Sequence, residues 1–365
     1  MKRLILSVVA TVTSTIAFAD TVTFTWKGGD GNWSDPKMWT ASDGSTDRYP
    51  NAETDVAVFS PDEIAEVTMT EDITVSNAEV ALGGSKLCFV KSASAESIPK
   101  LKLIDNAANH GQSHNWSLTF DGVSPTFGSS VWTGQSFYPW HNCRLTIKNK
   151  AYMTLYRISF GSFKETPTSG YTVPTNFVID VGTESTFHIG SFAINGKNAY
   201  FVLSNATLNV SGGAMDSSNN YQYYVYGDSK IITRRQFFTK NPATLNLSLP
   251  EEPYETELVK LNDNGADYTL DYTTINILSD SPALKTSASS NRVYRIFNWH
   301  GTAAKIKNIG IDPNCLTWKY NGKDLKPYMS VASSFDPEYQ AGGAKYPQYI
   351  DFVLGPKPGL MLLLR

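Results

Sequence analysis

The sequence predicts an all-β protein, organised as a parallel β-helix (a solenoid) with irregular rungs and loops. Apolar and polar residues alternate with period two along many short segments, which is the pattern of half-buried strands. Tight corners rich in Asn, Gly or Ser join these segments in pairs. No stretch long enough for an ordinary helix shows convincing helical periodicity. Short alternating strands separated by turns also occur in an antiparallel β-sandwich, which is the alternative fold.

Residues 1–19 have the pattern of a secretory signal peptide. Lys2 and Arg3 form a positive n-region, an apolar run follows them, and Ala17-Phe18-Ala19 is a cleavage site of the A-x-A type. The apolar run is far shorter than the roughly 20 residues that a membrane-spanning helix needs, so we expect no transmembrane segment. The protein is therefore expected to be exported to the periplasm, the cell surface or the extracellular medium.

The charge balance limits the possible partners. The formal net charge is only −3, and such a mild balance argues against nucleic acid or anionic lipid, which require a basic face. Hydrophobic residues make up 41% of the chain, which is enough for an extended core.

A tryptophan-rich cap and the first strands are predicted for residues 20–60. The segment from Val22 to Trp26 alternates apolar residues with threonines, and a glycine-rich turn follows it. Asp35-Pro36 predicts a short helical start, after which Trp39 is expected to fold back onto Trp26. We favour an aromatic cluster that seals one end of the β structure over an exposed tryptophan platform for sugars.

The body of the solenoid is predicted for residues 61–250. Three units, 145–155, 177–189 and 201–213, each combine a short strand, a tight corner, a small residue and an alternating strand. Their second strands end 34 and 21 residues apart, an irregular period typical of rungs that carry loops of different length. Asn195-Gly196 is a hairpin signal that favours the sandwich, whereas the corners inside the units favour the parallel β-helix.

C-terminal strands and a second cap are predicted for residues 251–365. The segment from Pro250 to Pro253 is expected to interrupt the solenoid. Later strands are predicted at 274–278, 294–297 and 349–354, with an exposed loop at 279–291. The final residues, 355–365, are interpreted as a last buried strand, with a sorting signal as the alternative.

The cap segment resembles the start of autotransporter-associated β-strand repeat proteins. Residues 26–39 match their W-x-G-G-x-G-x-W-S-x-x-x-N-W opening except at Met38, where Asn is usual. Pro50 and the D-x-A-x-F run at 55–59 follow, as they do near the first rung in that family. The resemblance implies an exported, right-handed β-solenoid without enzyme activity. No C-terminal translocator barrel is expected, since no block of strands of about ten residues with apolar lipid-facing sides follows the solenoid.

Two aromatic clusters are candidate glycan-binding platforms, because flat aromatic faces bury the C–H faces of sugars and lose little rotamer entropy. The eight candidate residues are Trp132, Phe137, Tyr138, Trp140, Tyr221, Tyr223, Tyr224 and Tyr226. The competing interpretation is that these aromatic side chains pack inside the solenoid or under its loops.

The sequence offers little catalytic chemistry. No nucleophile-elbow, zinc-protease, phosphate-loop or dinucleotide motif is present, so no catalytic residue, metal or cofactor is assigned. Asp30-x-Asn32-x-Ser34 resembles the opening of a calcium loop, but the twelfth position, where a bidentate acid is needed, is Ala41. If the chain is a β-helix enzyme, Asp180, Glu184 and Arg157 are the nearest candidate groups.

The three cysteines are Cys88, Cys143 and Cys315, which are too far apart in the sequence to suggest a metal clip. Three buried, inert thiols and a single disulfide are both compatible with an exported protein.

From the sequence, we expect an exported bacterial solenoid, located at the cell surface or outside the cell, with a structural or adhesin-like contact role. The first alternative is a polysaccharide-binding module, and the second is a β-helix polysaccharide lyase or hydrolase. The expected partner is a glycan or a cell-surface protein.

Overall fold

The computed structural model describes residues 21–60, 62–80, 86–104, 115–127, 136–137, 142–160, 175–194, 197–211, 216–217, 221–233, 243–262, 273–286, 290–300, 316–334 and 349–356. Regular structure in these segments is almost entirely strand. Two 3₁₀ helices, Pro36–Met38 and Pro282–Leu284, accompany the strands.

The strands of the first half are, in chain order, β1 Thr23–Trp26, β2 Gly31–Asn32, β3 Trp39–Ala41, β4 Val56–Phe59, β5 Ile64–Met69, β6 Ile73–Val75, β7 Asn77–Val80, β8 Lys86–Lys91, β9 Lys100–Leu103, β10 Ser117–Asp121, β11 Ser124–Phe127, β12 Ser136–Phe137, β13 Cys143–Lys148 and β14 Tyr152–Phe160. Those of the second half are β15 Thr175–Gly182, β16 Thr186–Ile194, β17 Lys197–Ser204, β18 Thr207–Val210, β19 Asp216–Ser217, β20 Tyr221–Tyr226, β21 Lys230–Thr233, β22 Ala243–Ser248, β23 Val259–Asn262, β24 Thr274–Ile277, β25 Arg292–His300, β26 Thr317–Tyr320, β27 Met329–Ser334 and β28 Tyr349–Leu354.

These strands form a cap sheet and two long sheets. The cap sheet has the order β3-β1-β4-β7. The first long sheet has eleven strands in the order β2-β5-β8-β10-β13-β15-β17-β20-β22-β24-β26. The second long sheet has thirteen strands. Eleven of them follow the order β27-β28-β25-β23-β21-β18-β16-β14-β11-β9-β6, and the other two, β12 and β19, pair with β14 and β16.

The connectivity confirms the parallel β-helix. From β13 to β24 the chain passes alternately between the two long sheets, apart from the short β19, and each strand of the alternating path pairs in parallel with the strand one rung later, as β13 does with β15 and β14 with β16. The hairpin signal at Asn195-Gly196 does not correspond to a hairpin, since the flanking strands β16 and β17 lie in different sheets and each pairs in parallel elsewhere. The antiparallel sandwich is therefore excluded.

A residue with left-handed backbone marks the corner between the long sheets in successive rungs. The φ angles are 60° at Asn149, 47° at Thr183, 51° at Asn205 and 60° at Gly227. Asparagine and glycine tolerate this region best, which explains the corner composition seen in the sequence. Thr183 departs from this preference, and so do the next corner residues Lys150 and Glu184, with φ angles of 64° and 59°. The backbone N–H of Thr183 donates to the carbonyl of Ser204 on the next rung at 3.0 Å.

The small residue after each corner is buried because the chain turns tightly over it. Ala151, Ser185, Ala206 and Ser229 are all buried. The hydroxyl of Ser185 accepts from the backbone N–H of Ala151 at 3.1 Å, and that of Ser229 accepts from Ala206 at 3.2 Å. One rung thus satisfies a buried backbone donor of the rung before it.

The core runs along the inside of the solenoid and is built from stacked side chains. Alternate residues of each strand point inward, and aromatic rings of neighbouring strands lie over each other. Phe89 and Phe120 stack with centroids 5.4 Å apart, and Phe201 and Tyr223 with centroids 4.9 Å apart. Parallel pairing in register places like residues at the same depth in successive rungs.

The N-terminal end is sealed by the predicted aromatic cluster. Asp35 caps the first 3₁₀ helix, after which β3 pairs antiparallel with β1 and brings Trp39 opposite Trp26, with ring centroids 4.9 Å apart. Trp33 packs against Trp39 at 5.0 Å and donates its indole N–H to the carbonyl of Pro50 at 2.8 Å. All three tryptophans are buried, which excludes an exposed sugar platform here.

The solenoid does not end at the predicted break. The ladders continue through the segment from Pro250 to Pro253, since β22 pairs with β24 and β21 with β23. Most described residues of the loop 279–291 are exposed, as predicted, although the second 3₁₀ helix buries Ala283 and Leu284. The parallel ladder of the second long sheet ends later in the chain, where β28 pairs antiparallel with both β25 and β27.

The signal-peptide pattern and the end of the chain from 357 onward lie outside the described residues. Within the described segments, no helix has the length and apolar character required to span a bilayer.

Candidate binding face

The outer side of the first long sheet carries a patch of aromatic and apolar residues midway along the solenoid. The patch is formed by outward-facing residues of β15, β17 and β20. We call it the tyrosine face and define it as Val178, Tyr200, Val202, Gln222, Tyr224 and Tyr226. Each of these side chains is half-buried, whereas the intervening residues point into the core.

Strand register brings the tyrosines of different rungs together. Tyr200 pairs with Gln222, and Val202 pairs with Tyr224, so Tyr200 and Tyr224 lie diagonally across adjacent strands. Their ring centroids are 6.3 Å apart, with the planes inclined at 40°. Tyr226 follows on the same strand as Tyr224, two residues on, and points to the same side.

A chain of side-chain amides crosses the sheet beside the tyrosines. The backbone N–H of Gly322 donates to the amide oxygen of Asn276 at 2.8 Å. The Asn276 nitrogen donates to Asn246, and the Asn246 nitrogen donates to Gln222, both at 2.8 Å. Asn246 is buried, so its amide is satisfied within the protein rather than by water.

Charged side chains flank the tyrosine face rather than occupying it. Arg144 on β13 forms an ion pair with Asp180 on β15 at the N-terminal side of the patch. Further along, the described outward positions of four adjacent strands carry no charge: they are Tyr200, Val202, Ser204, Gln222, Tyr224, Tyr226, Thr244, Asn246, Ser248, Thr274 and Asn276. Asp280 lies close to Tyr226, and Lys319 on β26 pairs with Asn276 at the far edge. The patch can therefore offer stacking surfaces and neutral hydrogen-bonding groups.

Burial changes the acidity of the tyrosine nearest the corner. The pKa of Tyr226 is raised, first because burial disfavours the phenolate and then because the carboxylate of Asp280 and the phenol of Tyr224 lie close by. Tyr226 therefore keeps its proton at neutral pH and remains able to donate a hydrogen bond.

The structure divides the tyrosine cluster predicted from the sequence. Tyr224 and Tyr226 lie on the outer face, as a binding platform requires. Tyr223 is a correction: it is fully buried and stacks on Phe201, so its ring is inaccessible to a ligand. Tyr221 begins β20 and pairs with Ala199, but its side chain is not among those described.

The tryptophan-containing cluster stays a prediction. Phe137 lies in β12 and pairs with Ile158, and its side chain is not described. Trp132, Tyr138 and Trp140 lie outside the described residues.

Tyr200 was not predicted from the sequence. Only the pairing register of β17 and β20 brings Tyr200 near Tyr224. In the sequence Tyr200 stands one residue before a predicted strand, Phe201 to Leu203, and far along the chain from Tyr224. Placing Phe201 level with Tyr223 puts Tyr200 next to the tyrosine pair. The irregular length of the rungs hides that alignment in a linear sequence.

The candidate catalytic carboxylates are engaged in links between rungs. Asp180 is paired with Arg144, and Glu184 lies in an exposed corner 3.3 Å from the ammonium group of Lys150. The side chain of Arg157 is not described. Bridges of this kind are ordinary surface ion pairs.

The calcium-like segment is used for local hydrogen bonds. Asp30 accepts from the backbone N–H of Glu66 at 2.7 Å, and Asn32 accepts from that of Ser34 at 2.9 Å. Among the described residues, no group of three or more histidine, cysteine or acidic side chains is placed to hold a metal ion.

The cysteines cannot form the Cys88–Cys143 disulfide. Cys88 is half-buried on the outer side of the first long sheet, whereas Cys143 is buried on the inner side. Burial, together with the carboxylates of Asp121 and Glu66, raises the pKa of the Cys88 thiol, which keeps it protonated and weakly reactive. Cys315 lies outside the described residues.

No family model, curated protein or solved structure matches the chain. The resemblance of residues 26–59 to autotransporter-associated repeat proteins therefore stays a prediction that rests on the cap motif.

Proposed function

We propose that the chain is an exported solenoid of the cell surface or extracellular space that acts by contact, in a structural or adhesin-like role. The observation that carries this proposal is the tyrosine face, an uncharged aromatic patch on the outer side of a continuous parallel sheet. Tyrosine supplies large, rigid contact area at low entropic cost. A sheet held by ladders on both sides also keeps the patch ordered before binding, which reduces the cost of association.

Export is supported by the signal-peptide pattern of residues 1–19 and by the resemblance of the cap to exported solenoids. An enzymatic role has less support, because the nearest carboxylates, Asp180 and Glu184, are paired with basic residues of the neighbouring rung.

Retention of protein-coated beads on candidate surfaces tests the contact role. The surfaces are intact bacterial cells, insoluble polysaccharides and immobilised extracellular-matrix proteins, and soluble sugar is assayed in the supernatant. We expect retention on at least one surface and its loss in a Tyr200→Ser/Tyr224→Ser double variant. Tyr152→Ser is the matched control, since Tyr152 is an exposed tyrosine on the other long sheet.

Failure of the beads to bind any surface would contradict the proposal, and so would equal binding by the double variant. Release of soluble sugar by the wild-type protein would favour the polysaccharide lyase or hydrolase alternative.

A further inference from the structure

We propose that the tyrosine face is a binding site for a neutral, extended polysaccharide, whose sugar rings stack on Tyr200, Tyr224 and Tyr226. This inference rests on the proposed contact function and names the ligand class of the same surface.

The arrangement of the three tyrosines suits a chain-like ligand. The ring centroids of Tyr200 and Tyr224 are 6.3 Å apart. Tyr224 and Tyr226 are two residues apart on one strand, so that their Cα atoms are about 6–7 Å apart. The three tyrosines therefore lie in an oblique row across β17 and β20. Val178 pairs with Tyr200 and extends the apolar surface on the N-terminal side of this row, whereas Val202 pairs with Asp180, which is bound by Arg144.

The amide chain fixes a hydrogen-bond donor beside the row. A backbone N–H can only donate, so the contact from Gly322 assigns the oxygen of Asn276 as its acceptor. The next two hydrogen bonds have the same direction: the Asn276 nitrogen donates to the Asn246 oxygen, and the Asn246 nitrogen donates to the Gln222 oxygen. The NH₂ group of Gln222 is consequently left as the donating end, next to Tyr200 in the ladder. It can bind a ligand oxygen without reorienting the other amides.

The described outward positions from Tyr200 to Asn276 carry no charge, which favours a neutral ligand over an acidic one. An acidic polysaccharide would find no basic side chain at these described positions. The guanidinium of Arg144 on β13 is paired with Asp180, and Lys319 lies on β26, three strands from β20. A neutral sugar chain offers apolar C–H faces for the rings and hydroxyl oxygens for Gln222, which matches both features of the patch.

Affinity gel electrophoresis of the purified protein tests this inference. The probes are mixed-linkage β-glucan, galactomannan and xyloglucan as neutral chains, with polygalacturonate as the acidic comparison. We expect retardation by at least one neutral probe and none by polygalacturonate.

Three variants then locate the site. Tyr224→Ala should raise the Kd by about tenfold, since a stacked ring is lost. Gln222→Glu should raise it by about fivefold, because the carboxylate can still accept from Asn246 but no longer donates to the ligand. Tyr152→Ala should leave the Kd unchanged, and equal thermal midpoints for all variants would show that the fold is intact.

Absence of retardation by all three neutral probes would overturn the inference, as would unchanged affinity in Tyr224→Ala. If the beads still bind a cell or protein surface through Tyr200 and Tyr224, only the ligand class is wrong. If the beads also fail, the contact function itself is contradicted.

Discussion

At the scale of single residues, strand parity decides which tyrosines can meet a ligand. Tyr223 and Val225 point inward, and Tyr224 and Tyr226 point outward, as period two requires. The sequence contained that distinction, because an apolar Val225 between two tyrosines marks the buried side. The cluster predicted from composition alone joined both faces and therefore included Tyr223 wrongly.

Two neighbouring tyrosines at the C-terminal end differ in a way that predicts opposite responses to the same substitution. The rings of Tyr254 and Tyr294 meet edge to face with centroids 6.0 Å apart. The Tyr294 hydroxyl donates to the carbonyls of Pro250 and Glu251, both at 3.1 Å. The Tyr254 hydroxyl is buried without a hydrogen-bond partner among the described residues, and burial raises its pKa.

Removing each hydroxyl should separate the two roles. Tyr254→Phe should leave the free energy of unfolding unchanged or raise it by about 1 kcal/mol, because an unsatisfied buried hydroxyl is removed. Tyr294→Phe should lower the free energy of unfolding by about 1–2 kcal/mol, because a satisfied hydrogen bond is lost. Urea denaturation of the two variants measures both values, and a larger loss in Tyr254→Phe would contradict the assignment.

At the scale of elements, the repeated units were predictable and their partners were not. The strands, the left-handed corner residues and the small buried residues after them follow from local chemistry, as at Asn205 and Ala206. The partner of each strand lies one rung away, and because the loops differ in length the number of residues between the two strands cannot be read from the sequence. The Asn195-Gly196 signal failed because a local turn preference cannot tell a hairpin from a passage between two sheets.

The cap is the element whose loss should cost the most, because it covers the end of the stacked core. Trp33 is fully buried, donates to Pro50 and packs against Trp39, Phe59 and Phe89. Trp33→Ala should lower the free energy of unfolding by about 3–5 kcal/mol. Trp33→Phe, which keeps a ring but loses the donor to Pro50, should lower it by about 1–2 kcal/mol. Chemical denaturation tests this prediction, and a loss below about 1 kcal/mol in Trp33→Ala would mean that the cap is dispensable.

At the scale of the whole molecule, the two long sheets make one continuous frame past the predicted break. Pro250 and Pro253 lie in the connection from β22 to β23, where a missing N–H removes no ladder hydrogen bond. The sequence was therefore sufficient for the fold class and the cap but not for the extent of the solenoid. The same frame brings Tyr200 beside Tyr224, which is why Tyr200 was recognised as part of the candidate site only from the three-dimensional register.

The central claim is that contact with a ligand or surface occurs on the tyrosine face. Hydroxyl-radical footprinting of the protein, free and bound to the surface that retains the beads best, tests this claim most directly because it reports the accessibility of individual side chains. We predict reduced labelling of Tyr200, Tyr224 and Tyr226 in the bound state, with Tyr152 on the other long sheet unchanged. Unchanged labelling of the three tyrosines in the bound protein, or protection of Tyr152 instead, would contradict it.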